Sequence, residues 1–162
     1  MPRPPVDYIE RARAQYGALG YPTYRWVESE TPPPFAPVTK PLAESRLGLI
    51  ASGGVYAEGQ LAFHWSDDTS LRLIARDTPD EALRATHFAY DLDDARRDPG
   101  CVFPLAALRA LEADGAIGEL APTAWTFMGG IYSARKVRDV LAPEFVRRAI
   151  ADQVDLVLLV PV

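Results

Sequence analysis

Four short stretches of the 162-residue chain carry groups suited to chemistry. Ser52-Gly53-Gly54 follows an apolar run, and a turn of this kind can aim backbone N–H groups at a carboxylate or phosphate. It is no nucleotide fingerprint, since the third glycine of G-x-G-x-x-G is missing, and plain turn geometry is the competing reading. Thr86-His87-Phe88-Ala89-Tyr90-Asp91 is denser in reactive side chains. His87 titrates near neutrality and can act as a general acid or base; the alternative is a histidine bonded to a backbone carbonyl. If 86–90 is extended, His87 and Ala89 face away from Thr86, Phe88 and Tyr90. Cys101 precedes a helix, whose N-terminus can lower a thiol pKa, although Val102 and Phe103 beside it suit a structural cysteine. Phe127-Met128-Gly129-Gly130 allows close backbone approach to a ligand, or is only a tight turn. Asp91, Asp93 and Asp94 can hold a cation or form a solvated turn.

The elements that must position these groups read as an α/β domain. Its sheet is expected to be mostly parallel with flanking helices, Rossmann-like or flavodoxin-like. Residues 1–41 form an N-terminal helix and a proline-rich arm, and 42–162 form the α/β domain. The helix runs from Asp7 to Leu19 with Gly20 as its stop. Nine of the fifteen prolines lie at or before Pro41, so Thr31–Pro37 is an extended arm, with Trp26 and Phe35 expected to pin it to the body. Strands are expected at Arg46–Ala51 and Leu71–Ile74, with Phe63–Thr69 a loop between them. Thr86–Tyr90 reads as a short strand or its exit, and Ile117–Leu120 as a short strand.

Pro104 opens a helix to Asp114 with Leu105, Leu108 and Leu111 on its buried side. Ser133 caps a helix through Leu141, and Pro143 restarts helix to about Ala151, with Phe145, Val146, Ala149 and Ile150 on or near the buried side. Val154–Val162 reads as a fully buried final strand, because its apolar run is continuous and not alternating. In open parallel sheets ligands bind beyond the carboxyl ends of the strands, which is where Ser52, Gly53 and Gly54 fall.

Composition narrows the classes. The chain is 48% hydrophobic with a net charge of -5, giving no electrostatic footprint for nucleic acid or an anionic membrane. No apolar run approaches the roughly 20 residues of a membrane span, and the first residues lack a secretory core, so a cytoplasmic location is expected. A single cysteine and two histidines leave no internal disulfide and no thiolate metal cluster. Arg135, Lys136, Arg138, Arg147 and Arg148 read as solvated helix faces.

Six blocks in order carry a resemblance. They are Lys40-Pro41-Leu42-x-Glu44-x-Arg46 running into Ser52-Gly53-Gly54-Val55, Thr86-His87-x-x-Tyr90-Asp91, Cys101-Val102-Phe103-Pro104-Leu105, Ile117-Gly118-Glu119-Leu120-Ala121-Pro122, Phe127-Met128-Gly129-Gly130-Ile131, and Val154-Asp155-x-x-Leu158-Leu159-x-Pro161. Together they resemble the selenoprotein B family of glycine, sarcosine, betaine and D-proline reductases, with D-proline reductases as the nearest branch.

The resemblance implies an oxidoreductase subunit that cleaves a C–N bond of a small amino acid or amine. In the family, a selenocysteine or cysteine opens a Sec-x-x-Cys segment directly after the strand matching Leu156–Val162. Its selenolate attacks the carbon bearing the amine, and dithiols then reduce the selenium–sulfur bond. A partner subunit commonly carries a pyruvoyl group. This chain is expected to hold no cofactor or metal of its own and to be inactive alone. It is expected to stop at a selenocysteine codon, leaving an apolar open edge prone to self-association. Position suggests that Ser52, Gly53, Gly54, Gly129 and Gly130 line the substrate site, their N–H groups facing a carboxylate. His87 or Tyr90 would supply a proton to the leaving nitrogen. Cys101 is a possible redox group. The rival expectation is a non-catalytic α/β module that binds a small molecule or docks a partner.

Overall fold

A computed structural model describes residues 6–23 and 27–162 of the chain. It divides into two compact units, Met1–Phe35 and Ala36–Val162. In the first, helix α1 spans Tyr8–Ala18. The Asp7 carboxylate accepts from the Glu10 N–H at its start, and Gly20 follows its end with φ +79°. Asp7 is the N-cap and not the first helical residue, and Gly20 is the expected stop. Phe35 exposes 90% of its surface, so the ring is not buried as a pinning residue would be. Trp26 lies outside the described residues.

The second unit is an α/β domain with a mostly parallel sheet. Strand β1, Arg46–Ala51, is its centre. Leu49 and Ala51 are almost wholly buried there, and burying a leucine of this size stabilises by about 2 kcal/mol. One side of β1 pairs in parallel with β7, Leu156–Val160, along its whole length. The other side pairs with β5, Glu119–Leu120, over its first residues and with β6, Thr123–Thr126, over its last. β3, Arg72–Ala75, closes that flank antiparallel to β6. A separate hairpin pairs β2, Val55–Ala57, with β4, Leu83–Ala85. The Thr126 hydroxyl donates to the Val55 carbonyl and ties hairpin to sheet.

Helices cover the rest. α2 is Asp93–Arg97 and α3 is Leu105–Ala113. Leu105 and Leu108 are buried, but Leu111 is 43% exposed, because α3 presents only a narrow stripe to the core. Ser133 accepts from the Lys136 N–H and opens α4, Ala134–Lys136, which runs through a π-turn at Val137–Leu141 into α5, Ala142–Ala151. Phe145 packs on Trp125 and Phe127. Val146 and Ile150 instead face outward, and Phe145 and Ala149 are only half-buried, so none of the expected buried side is fully buried.

Three strand expectations change. β6 went unread because Ala121-Pro122 interrupts it: proline donates no ladder bond, so β5 and β6 behave as one strand broken at that point. The strand near the histidine lies at Leu83–Ala85, and Thr86–Tyr90 is its bent exit. β7 is an edge strand. Val157, Leu158 and Leu159 are 40%, 36% and 65% exposed, because among the described residues β7 pairs only with β1. Its run of aliphatics therefore reflects an apolar surface on both faces, and not burial by the residues described. No described helix is long and apolar enough to cross a membrane.

Candidate functional site

β1, β7 and β6 all point their carboxyl ends at one place. The Ser52 N–H donates to the Val160 carbonyl at 3.1 Å, and the Val162 N–H donates to the Ser52 Oγ at 2.9 Å. Ser52 therefore clamps the exit of β7 through backbone and side chain together. Gly53 faces Met128 across an isolated antiparallel bridge. A Cβ added at Gly53 would lie 3.0 Å from Val102 Cβ and 3.3 Å from a Val162 methyl.

Gly54 has φ +69°, and a Cβ there would collide with the Thr86 carbonyl. Both the left-handed backbone and the close approach require glycine. A Cβ at Gly129 would crowd Ser52, and one at Gly130 would strike the Phe88 ring. Ser52, Gly53, Gly54, Gly129 and Gly130 thus come together.

Their N–H groups are not all free. Gly54 donates to the Phe127 carbonyl at 3.0 Å and Gly129 to the Ser52 carbonyl at 2.8 Å. The Gly130 N–H reaches only the Met128 sulfur, at 3.1 Å. The glycines bring two turns into contact, and the Gly54 and Gly129 donors are spent in doing so.

His87 and Tyr90 also converge here, by a route the extended reading missed. The bend at 88–90 places Phe88 and Tyr90 on the same imidazole. Ring centroids stand 5.6 Å from His87 to Phe88, nearly parallel, and 4.8 Å from His87 to Tyr90. The Tyr90 hydroxyl donates to the Gly53 carbonyl at 2.7 Å. Burial pushes this phenol above its ordinary value, so it remains a donor at neutral pH.

His87 is 8% exposed. Its Nδ1 accepts from the Ala89 N–H at 3.0 Å, so the neutral ring carries its proton on Nε2. Burial lowers its pKa and keeps it neutral. The Nε2 atom is buried with no hydrogen-bond partner among the described residues. An unpaired buried donor of this kind costs about 1–3 kcal/mol. His87 in this state is a hydrogen-bond donor: Nδ1 is occupied, so the ring has no free lone pair for a general base.

Of the two readings of Cys101, the activated one finds no support in its surroundings. The residue sits in a tight turn at Pro99–Cys101, and its thiol is pushed up by desolvation and by Asp98 and Asp94. A raised pKa leaves little thiolate, the opposite of activation by a helix N-terminus. Asp91 accepts from the Asp93 N–H, and Asp94 pairs with Arg97. These carboxylates shape the entry to α2. Among the described residues no cluster of three or more histidine, cysteine or acidic side chains is placed to hold a metal. Arg138 pairs with Asp139, and Arg147 and Arg148 share Glu144, as solvated faces do.

Sequence reasoning passed over Phe88 and Tyr132, whose rings stand 6.3 Å apart beside Gly130. An aromatic directly after a candidate histidine was the available signal. It also passed over the Ser52 hydroxyl as a clamp, which needs the register of β7 to be seen.

Comparison with known proteins covers most of the chain. Residues 23–162 match the family model for glycine/sarcosine/betaine reductase selenoprotein B. The chain is 35% identical over 130 residues to D-proline reductase subunit gamma of Acetoanaerobium sticklandii, covering 80% of this chain and 54% of that protein. It is 28% identical over 129 residues to glycine reductase complex component B subunit gamma of Peptoclostridium acidaminophilum, covering 74% of this chain and 28% of that protein. The chain therefore spans about half the length of the first relative and about a quarter of the second. No solved structure matches.

Proposed function

The chain belongs to the glycine/sarcosine/betaine reductase selenoprotein B family, and from that premise we propose that it is the substrate-side part of a cytoplasmic reductase subunit that cleaves the C–N bond of a small amino acid. The observation that carries this reading is the clamp of Val162 on Ser52, beside the Gly53–Gly54 and Gly129–Gly130 turns. A residue following Val162 in the intact protein starts at that cluster, which is where the family's Sec-x-x-Cys or Cys-x-x-Cys segment would stand. Selenocysteine there supplies a nucleophile ionised at neutral pH, which an ordinary thiol near 8.5 mostly is not.

The chain's own residues supply direction and packing. β1 and Ser52 fix where the strand exit points. The Tyr90 hydroxyl holds the Gly53 carbonyl in place. Cys101, with its raised thiol, is a poor substitute nucleophile. A second subunit is part of the proposal, with the pyruvoyl group the family resemblance implies. The exposed aliphatics Val157, Leu158 and Leu159 give such a subunit, or another copy of the chain, an apolar edge to cover.

The test uses the intact protein expressed from its gene with its partner subunit, a dithiol as reductant, and D-proline, glycine, sarcosine and betaine in turn. We expect dithiol oxidation matched one to one by C–N cleavage of one of these, abolished by alkylating the nucleophile. Tight binding of an amino acid without turnover in the intact complex would favour a binding module instead. The lack of a selenocysteine or cysteine pair after Val162 in the intact protein would overturn the nucleophile assignment.

A further inference from the structure

The His87 Nε2–H is a donor that the fold has left over. Native proteins pair nearly all buried polar groups, and an exception calls for a reason. Two rings pack on the imidazole, and they differ in freedom. Tyr90 is tied by its hydroxyl to Gly53. Phe88 has no such tie, is 44% exposed and fills the space over Gly130. Of the two rings, Phe88 is the one that no hydrogen bond among the described residues holds in place.

The missing partner is an acceptor, because Nε2 already holds its proton. A carboxylate oxygen is the strongest ordinary choice, since a charged acceptor roughly doubles a hydrogen bond. Full burial of an anion would be prohibitive. With the half-exposed Phe88 turned aside, one oxygen would meet Nε2 while the other stayed in water. The Tyr90 and Tyr132 rings offer an apolar wall to the carbon skeleton of a small ligand. The Gly54 and Gly129 N–H groups are already spent, so they do not compete for this role.

We infer that the His87 Nε2–H is the carboxylate anchor for a small amino-acid ligand, and that Phe88 is the flap that turns aside to admit it. Only the identity of the ligand rests on the reductase reading; the anchor itself needs no turnover.

The test is an acetate titration of the chain with 15N-labelled histidine, followed by NMR, with acetamide as the uncharged control. Acetate should shift the His87 ring nitrogens, and Phe88→Ala should tighten binding by removing the closed state. His87→Phe should weaken it about tenfold or more. If that variant does not fold, His87→Gln, which keeps an N–H donor, should retain part of the affinity. Acetate that binds without moving the His87 signals overturns the anchor. Equal binding of acetamide overturns the carboxylate assignment. An unchanged affinity in Phe88→Ala overturns the flap. Turnover by the intact complex with His87 untouched by acetate would sink this inference alone. Acetate on His87 with no turnover would sink only the reductase reading.

Discussion

The two ends of the β1–β7 pair are built on opposite principles. At the amino end, ions hold the strands. Lys40 pairs with Asp155, the Asp155 carboxylate accepts from the Arg46 N–H, and the Arg46 guanidinium reaches Glu119 and the Asp152 carbonyl. The Lys40 ammonium and the Arg46 N–H hold the Asp155 carboxyl below its ordinary range. A cleft of about 730 Å³ opens there, lined by these same charged groups. The carboxyl end is held differently. Glycines let turns touch, hydroxyls of Ser52 and Tyr90 grip the backbone, and one buried donor stays unpaired. That opening is a solvated seam whose charged groups pair with one another. The carboxyl end holds the group with an unmet bond. Unspent polarity marks the site.

That contrast can be broken from either end. The largest effect is expected from Gly54→Ala, which combines a forced left-handed residue with a collision at the Thr86 carbonyl. We expect a loss of at least about 3 kcal/mol in urea denaturation. A loss below about 1 kcal/mol would mean the turn is soft. Tyr90→Phe removes one hydrogen bond to Gly53, for an expected cost of about 0.5–1.5 kcal/mol. A variant as stable as the parent would detach Tyr90 from the site.

The pH dependence of stability sharpens the role of His87. Its folded pKa lies below the ordinary 6.5, so on acidification the unfolded chain takes up the proton first. Stability should fall as pH drops below about 6.5, until the folded ring also protonates, by at most about 1.4 kcal/mol per pH unit. The comparison of wild type with His87→Phe isolates this slope above the carboxylate range, and equal slopes would refute it. The smallest effect belongs to the amino end. Lys40→Met should shift the melting midpoint slightly at low salt and not at all near 1 M, where the Debye length is about 3 Å. A salt-independent loss would make that end more than an ionic seam.

Much of this was legible in the residues. β1 and the end of α1 declared themselves through an apolar run and the stop at Gly20. The glycine pairs marked where turns had to touch. Two things were hidden for physical reasons. β6 was masked by Pro122, which breaks the ladder without ending the strand's direction. β7 looked central because periodicity reports apolar faces but not what covers them. At the site, the types of His87 and Tyr90 were readable, but their shared face was not. It depends on a bend at 88–90 that no alternation pattern encodes. The fate of the glycine N–H groups was equally invisible, since it turns on the register between two loops distant in sequence.

The central claim is that the last strand hands the chain directly to the glycine turns. Hydrogen exchange at the Val162 amide tests it most directly. We predict that this amide is protected in the wild type and loses its protection in Ser52→Ala, while the Leu158 amide exchanges unchanged in both. A Val162 amide that exchanges at the free-chain rate in the wild type would contradict the account.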